Sequence, residues 1–183
     1  PLNIYSKKYQ QVSQLPAGVT VAIPNDATNQ GRALLVLQKA GLLKLRNGGS
    51  ALSTPADVIA NQSKVKVKAI DAAQTAASLD GVDAAVINNN FAADAGLDLN
   101  KVLYKDNATG KSADPYVNII AAKAADKNNE TYKKVAKLWS DPEVQKSIIK
   151  QSGGTAKVVS DRSQADLDKI LGDLTTEIKK SNS

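Results

Sequence analysis

The 183-residue sequence contains no cysteine, no histidine and no methionine. The missing cysteine excludes disulfide frameworks and thiol nucleophiles, and with histidine also absent there are no Cys/His zinc sites. Serine–histidine relays and imidazole acid–base chemistry are excluded too. A large part of the enzyme repertoire is closed on these grounds. Aromatic residues are scarce, at 4%, which leaves few rings to stack on bases, and no nucleic-acid motif occurs. No apolar run approaches the ~18 residues of a membrane span. No signal peptide or initiating methionine precedes "PLNIYSKK", so the chain is expected to start inside something longer or after a cleavage. A cysteine-free chain fits the cytosol and fits many exported bacterial proteins, so composition leaves the compartment open.

What is present fits a globular protein of one domain or two small ones, with 42% hydrophobic residues. The net charge is +6, from 24 basic and 18 acidic residues. The lysines are scattered, as in "NNETYKKVAKLW" and "VQKSIIKQSG", and read as a solvated face with mild attraction to an anionic envelope surface.

Periodicity organises the first two thirds as alternating strands and helices. "VTVAIP" (19–24) is β-branched and alternating, hence a strand. "GRALLVLQKAG" (31–41) consists of helix formers and ends on Gly41, placed as a helix stop. "KVKVKAI" (64–70) is a period-two strand, "DAAQTAASL" (71–79) a short helix, "GVDAAVINNN" (81–90) a buried strand, and "FAADAG" another short helix. That order is an α/β signature with parallel pairing. "YKDNATGKSADP" (104–115) is loop by composition. "YVNIIAAK" (116–123) is expected to be a further strand, with Val117, Ile119 and Ala121 on one face and Tyr116, Asn118 and Ile120 on the other. Helices follow. Tyr132, Val135 and Trp139 share a face, and at "SDPEVQ" Ser140 or Asp141 caps a helix whose first turn holds Pro142. Beyond "GG" at 153–154, Leu167, Ile170, Leu171, Leu174 and Ile178 form the apolar stripe of an amphipathic helix, and the final "KKSNS" is expected to fray.

Three polar features sit where an α/β sheet places its ligand, beyond the carboxyl ends of the strands. In "PNDATNQGR", Arg32 lies in the first turn of a helix, at the positive end of the dipole, where an acid is the favourable choice. Its planar fork suits a carboxylate beside the free N–H groups of the helix start. Alternatively, Asp26, Thr28 or Asn29 caps the helix and Arg32 points to water. In "INNN", Asn88 to Asn90 offer donors and acceptors for a zwitterion, or else form a turn. Asn118 is unusual in a strand interior and shares a face with Tyr116, as a ligand contact or as an edge-strand or core-capping residue. Together they describe a site for a small zwitterion and contain no nucleophile–base pair.

At these residues the chain resembles the substrate-binding lipoproteins of bacterial methionine ABC importers, the NlpA/MetQ family. The resemblance is carried by "PLNIYSKKYQQVSQLPAGVTVAIPNDATNQGRALLVLQKAGLLKL", "DAAVINNNFAADAGL" and "DPYVNIIAAK", and extends over about residues 1 to 155. It implies a type II periplasmic-binding-protein fold, in which two α/β lobes close on a ligand by hinge motion. This chain would supply mainly one complete lobe and the C-terminal part of the other, and would lack the family's N-terminal segment. On that reading 1–14 is a hinge or crossover segment, 15–122 the ligand-binding lobe and 123–183 a C-terminal helical part with an extended amphipathic tail at 156–183.

The resemblance implies a binding protein, not an enzyme, with no cofactor and no metal. It would bind L-methionine, or a close analogue such as D-methionine or a methionine-containing dipeptide, and deliver it to a membrane permease and its ATPase. Arg32 would pair with the ligand carboxylate with Asn29 beside it, Asn88, Asn90 and Asn118 would bind the head group, and Tyr116 would line the pocket. The implied location is extracytoplasmic, on a Gram-positive-like surface or in the periplasm. The membrane link would be an N-terminal lipid anchor absent from this chain, and nucleic acid is not a partner. The alternative is an amino-acid-sensing or surface-interaction module on the same fold, without transport.

Overall fold

The computed structural model describes residues 1–106 and 111–181, with side chains left aside at 111, 112 and 181. Residues 107–110 of the expected loop and the last two residues of the expected frayed end lie outside the described residues. The chain divides into two compact units, Pro1–Asn107 and Ala108–Ser183.

The first unit is built on a four-stranded sheet of order β1-β4-β2-β3, with β1 at Leu2–Tyr5, β2 at Thr20–Pro24, β3 at Lys66–Ile70 and β4 at Ala84–Asn88. β2 runs parallel to both β3 and β4, as the alternation of elements predicts, while β1 is antiparallel to β4 with Leu2 opposite Asn88. Side chains alternate between two cores. Leu2, Ile4, Val21, Ile23, Ala84 and Val86 join one with Ala33, Leu34 and Leu37 of helix α1 (Asn29–Lys39). Tyr5, Ala22, Ala85 and Ile87 face the other, with Ala76, Leu79, Leu99 and Ala92 of helix α2 (Asn89–Asp94). The period of two puts one set on each face, so both faces of the sheet are covered. Each large side chain fully buried in this way contributes roughly 1.5–3 kcal/mol.

Helix α1 stops where the glycine predicts. Gly41 has φ 73°, its N–H donates to the Gln38 carbonyl at 3.0 Å, and the Leu42 N–H donates to the Leu37 carbonyl at 2.9 Å. That is a Schellman closure, which needs a residue comfortable in the left-handed region. The expected helix at 71–79 is instead a pair of 3-10 turns, Ala72–Gln74 and Ala77–Asp80. Asp71 accepts the Ala73 N–H at 2.8 Å and Thr75 donates to the Ala72 carbonyl at 2.7 Å. Such local side-chain bonds compete with a regular helix.

The second unit contains helices α3 (Glu130–Leu138), α4 (Pro142–Gln151) and α5 (Gln164–Ser181). Asp141, not Ser140, caps α4, accepting the Glu143 N–H at 2.8 Å with Pro142 in the first turn. Arg162 clamps the approach to α5 through Asp114, with Nη2 to Oδ1 at 2.7 Å. The strand expected at 116–123 is not formed. Lys111–Tyr116 is a 3-10 turn, and residues 117–123 are irregular. A strand exists through its ladder partners, and among the described residues every strand belongs to the first unit. The stripe on α5 is present but not enclosed: Leu167, Ile170 and Leu174 are half-buried, while Leu171 and Ile178 are exposed.

Candidate functional site

The strand order changes direction between β2 and β4. From β2 the chain crosses through α1 to β3 on one side, then returns to β4 on the other. Such a switch opens a crevice at the carboxyl ends of the two strands, which is where ligands of open α/β sheets bind. The polar residues gathered there come from four places in the sequence.

After β2, Asp26 turns back on the start of α1. Its Oδ1 accepts both the backbone N–H of Asn29, at 3.0 Å, and the Asn29 side-chain Nδ2, at 2.9 Å. Asp26 is therefore the residue that caps this helix, and it orients Asn29 at the same time. At the end of β4, Asn88 donates its Nδ2 to the Asn29 Oδ1 at 3.1 Å. The two asparagines, 59 residues apart in sequence, are thus in direct contact. Two oxygens in this set, Asp26 Oδ2 and Asn88 Oδ1, are buried without a hydrogen-bond partner among the described residues. A buried orphaned acceptor costs roughly 1–3 kcal/mol, a cost that calls for an explanation.

Arg32 does not point to water. Its Nε and Nη2 both donate to Asp106 Oδ2, at 3.0 and 2.5 Å, and the side chains of the pair are only 14% and 6% exposed. Asp106 arrives because residues 103–104 run beside β1. The Leu103 N–H donates to the Ile4 carbonyl at 2.8 Å, and the Ile4 N–H donates to the Tyr104 carbonyl at 3.0 Å. The Asp106 N–H then donates to Oδ1 of Asn3 at 2.9 Å. The Leu2 N–H also donates to Asp106 Oδ2, at 3.4 Å. Since Leu2 is the register partner of Asn88, the Arg32–Asp106 pair and the Asp26–Asn29–Asn88 chain meet at one edge of the sheet.

Of the residues singled out from the sequence, Arg32, Asn29 and Asn88 are therefore assembled in one unit at the switch point. Asn90 is exposed in the first turn of α2. Tyr116 and Asn118 belong to the second unit, Tyr116 half-buried at the end of its 3-10 turn and Asn118 exposed just beyond. Asp106 and Asn3 join this set in addition to the residues singled out from the sequence. Asp106 lies 74 residues from its arginine, in a stretch that reads as loop. Asn3 did carry a signal, as an asparagine inside "LNIY", and it is 2% exposed within β1. Chemically, the arrangement offers a guanidinium oriented by a carboxylate, and amides with fixed donors and acceptors. It suits recognition of a small polar head group.

The chain is similar to several known proteins. The family described as NlpA lipoprotein matches residues 1–159. A Pasteurella multocida protein named probable D-methionine-binding lipoprotein MetQ is 39% identical over 160 residues, covering 86% of this chain and 56% of that protein. The chain thus spans little more than half the length of this relative. Among solved structures, a Staphylococcus aureus protein aligns with a TM-score of 0.88 at 38% identity, over 95% of this chain and 68% of that one. The substrate-binding protein of a methionine transporter from Streptococcus pneumoniae aligns with a TM-score of 0.78 at 40% identity, over 87% and 64%. The fold is that of the periplasmic-binding-protein class, and the chain belongs to the NlpA lipoprotein family.

Proposed function

We propose that this chain carries the ligand-binding lobe of an extracytoplasmic solute-binding protein that captures L-methionine, or a close analogue such as D-methionine or a methionine-containing dipeptide. The observation that carries the reading is the placement of Arg32, Asn29 and Asn88 at the β2/β4 switch point, in a chain 40% identical to the binding protein of a methionine transporter. Arg32 reads the ligand carboxylate, for which a guanidinium fork supplies paired charge-assisted bonds. Asp106 sets the orientation of that fork, so less side-chain freedom is lost on capture. Asn88 meets the amino group. Asn90, Tyr116 and Asn118 enter this reading through the family resemblance alone.

The protein binds and hands over its ligand without chemistry, to a permease and ATPase in the membrane. It is held outside the cytoplasm as a lipoprotein, the term under which its relatives are named. Among the described residues no helix is long and apolar enough to cross a membrane. Calorimetric titration with L-methionine, D-methionine, a methionine-containing dipeptide and unrelated amino acids tests the assignment. Methionine or one of these analogues is expected to bind tightest. Silence towards all of them, with clear heat from an unrelated solute, would overturn the ligand and leave the fold untouched.

A further inference from the structure

The hydrogen-bond chain at the switch point has a direction, and Asp26 sets it. An asparagine amide reads equally well either way round unless a neighbour decides between its oxygen and its nitrogen. Here the neighbour is unambiguous. Asp26 Oδ1 already accepts the backbone N–H of Asn29 at 3.0 Å, so it meets the Asn29 side chain as an acceptor as well. It therefore takes the Nδ2 group, at 2.9 Å. The Asn29 Oδ1 is left to face Asn88, which must answer with its own Nδ2, at 3.1 Å. What remains of Asn88 is its carbonyl oxygen, buried and without a partner among the described residues, as is the second oxygen of Asp26. The chain thus converts the position of one carboxylate into the polarity of an amide two side chains away. Both orphaned atoms are acceptors, and what they lack is a donor.

We propose that Asp26 is a positioning residue that fixes Asn88 with its carbonyl oxygen towards the ligand and so makes the site select molecules bearing a hydrogen-bond-donating amino group. This rests on the proposed function for the identity of the ligand, and it adds a basis for preferring an amino acid over the matching amine-free acid. A site that buries an acceptor discriminates strongly against a ligand without the donor, because the acceptor then stays unpaired. Arg32, already paired with Asp106, does not separate the two ligands, since both present a carboxylate.

Two readouts test the proposal. The first needs no ligand: through-hydrogen-bond NMR couplings on the labelled protein are expected to link the Asn88 side-chain N–H to the Asn29 side-chain carbonyl. Coupling in the opposite sense overturns the relay. The second is the ratio of affinities for L-methionine and for 4-(methylthio)butanoic acid, its amine-free analogue. The wild type is expected to favour methionine at least tenfold. Asp26→Ala, which frees the Asn29 amide to rotate, is expected to bring the ratio to within threefold, mainly by weakening methionine. Asp26→Asn keeps an acceptor in place of Oδ1 and is expected to restore the preference, which a loss of folding in the alanine variant would not explain. A wild-type ratio near one, or an unchanged ratio in Asp26→Ala, contradicts the proposal while leaving methionine binding in place. Failure of the wild type to bind either compound instead removes the assigned ligand, and the couplings still decide the direction of the relay.

Discussion

Arg32 and Asp106 are held together across 74 residues with little solvent on either side chain, and the two make different demands on stability and on function. Removing either one leaves the other partly buried without its counter-charge, a change that costs about 3 kcal/mol in comparable pairs. Arg32→Ala is therefore expected to lower the urea midpoint of unfolding sharply. The double variant Arg32→Met/Asp106→Leu should recover most of the loss, because no uncompensated charge remains. The same Arg32→Ala change is expected to weaken ligand affinity by about 1.5–3 kcal/mol, the value of a charge-assisted hydrogen bond, in a titration under conditions where the variant is folded.

A second residue-scale effect lies in the turn that follows Thr54. The Asp57 carboxyl sits below its ordinary value, chiefly because the Thr54 backbone N–H donates to it, with Arg46 adding a smaller pull in the same direction. A lowered folded value means the contribution is present above the ordinary carboxylate range and lost as pH falls through the lowered value. Asp57→Asn should therefore flatten the fall in stability below about pH 4, measured as unfolding midpoint against pH.

At this scale the sequence was only partly readable. The arginine at a helix start was visible as an anomaly, because the helix dipole disfavours it. Its partner was not, since an ion pair closed by the fold leaves no local trace in the chain.

Elements were more legible where a local rule terminates or periodically marks them. α1 begins and ends within two residues of its expected span, because Gly41 closes it. The three parallel-paired strands follow from alternation. The strand expected at 116–123 failed for the opposite reason: alternation there was local, but a ladder depends on a neighbour that sequence spacing does not supply. One contact of α1 gives a sharp test. A Cβ at Gly31 would fall 2.1 Å from the Ala51 carbonyl oxygen and 2.7 Å from its carbon. Gly31→Ala therefore forces the backbone at 51 away from the helix. It is expected to cost about 1–3 kcal/mol in unfolding measurements, despite alanine's better helix propensity.

For the whole molecule, burial is unevenly divided. The described core lies almost entirely in residues 2–99, with Ala113 the only buried hydrophobic residue described beyond it. Among the described residues, the exposed large apolar side chains all fall between Ile119 and Ile178, and include Tyr132, Val135, Leu138 and Trp139 from one stretch of α3 and its end. Residues 1–107 are accordingly expected to fold alone with a cooperative transition, since they carry their own core and both partners of the buried ion pair. Residues 108–183 alone are expected to show helical circular dichroism without a cooperative transition. The sequence announced these amphipathic faces by their spacing, but spacing describes a face and is silent on what covers it.

On the proposed function, a small amino acid binds at the carboxyl ends of β2 and β4. A crystal structure of the protein grown with L-methionine tests it most directly. The expected result is density at that edge, with the ligand carboxylate on Arg32 and its amino group within hydrogen-bond distance of Asn88. Methionine bound away from the β2/β4 edge, or bound there without contact to Arg32 or Asn88, would contradict the account.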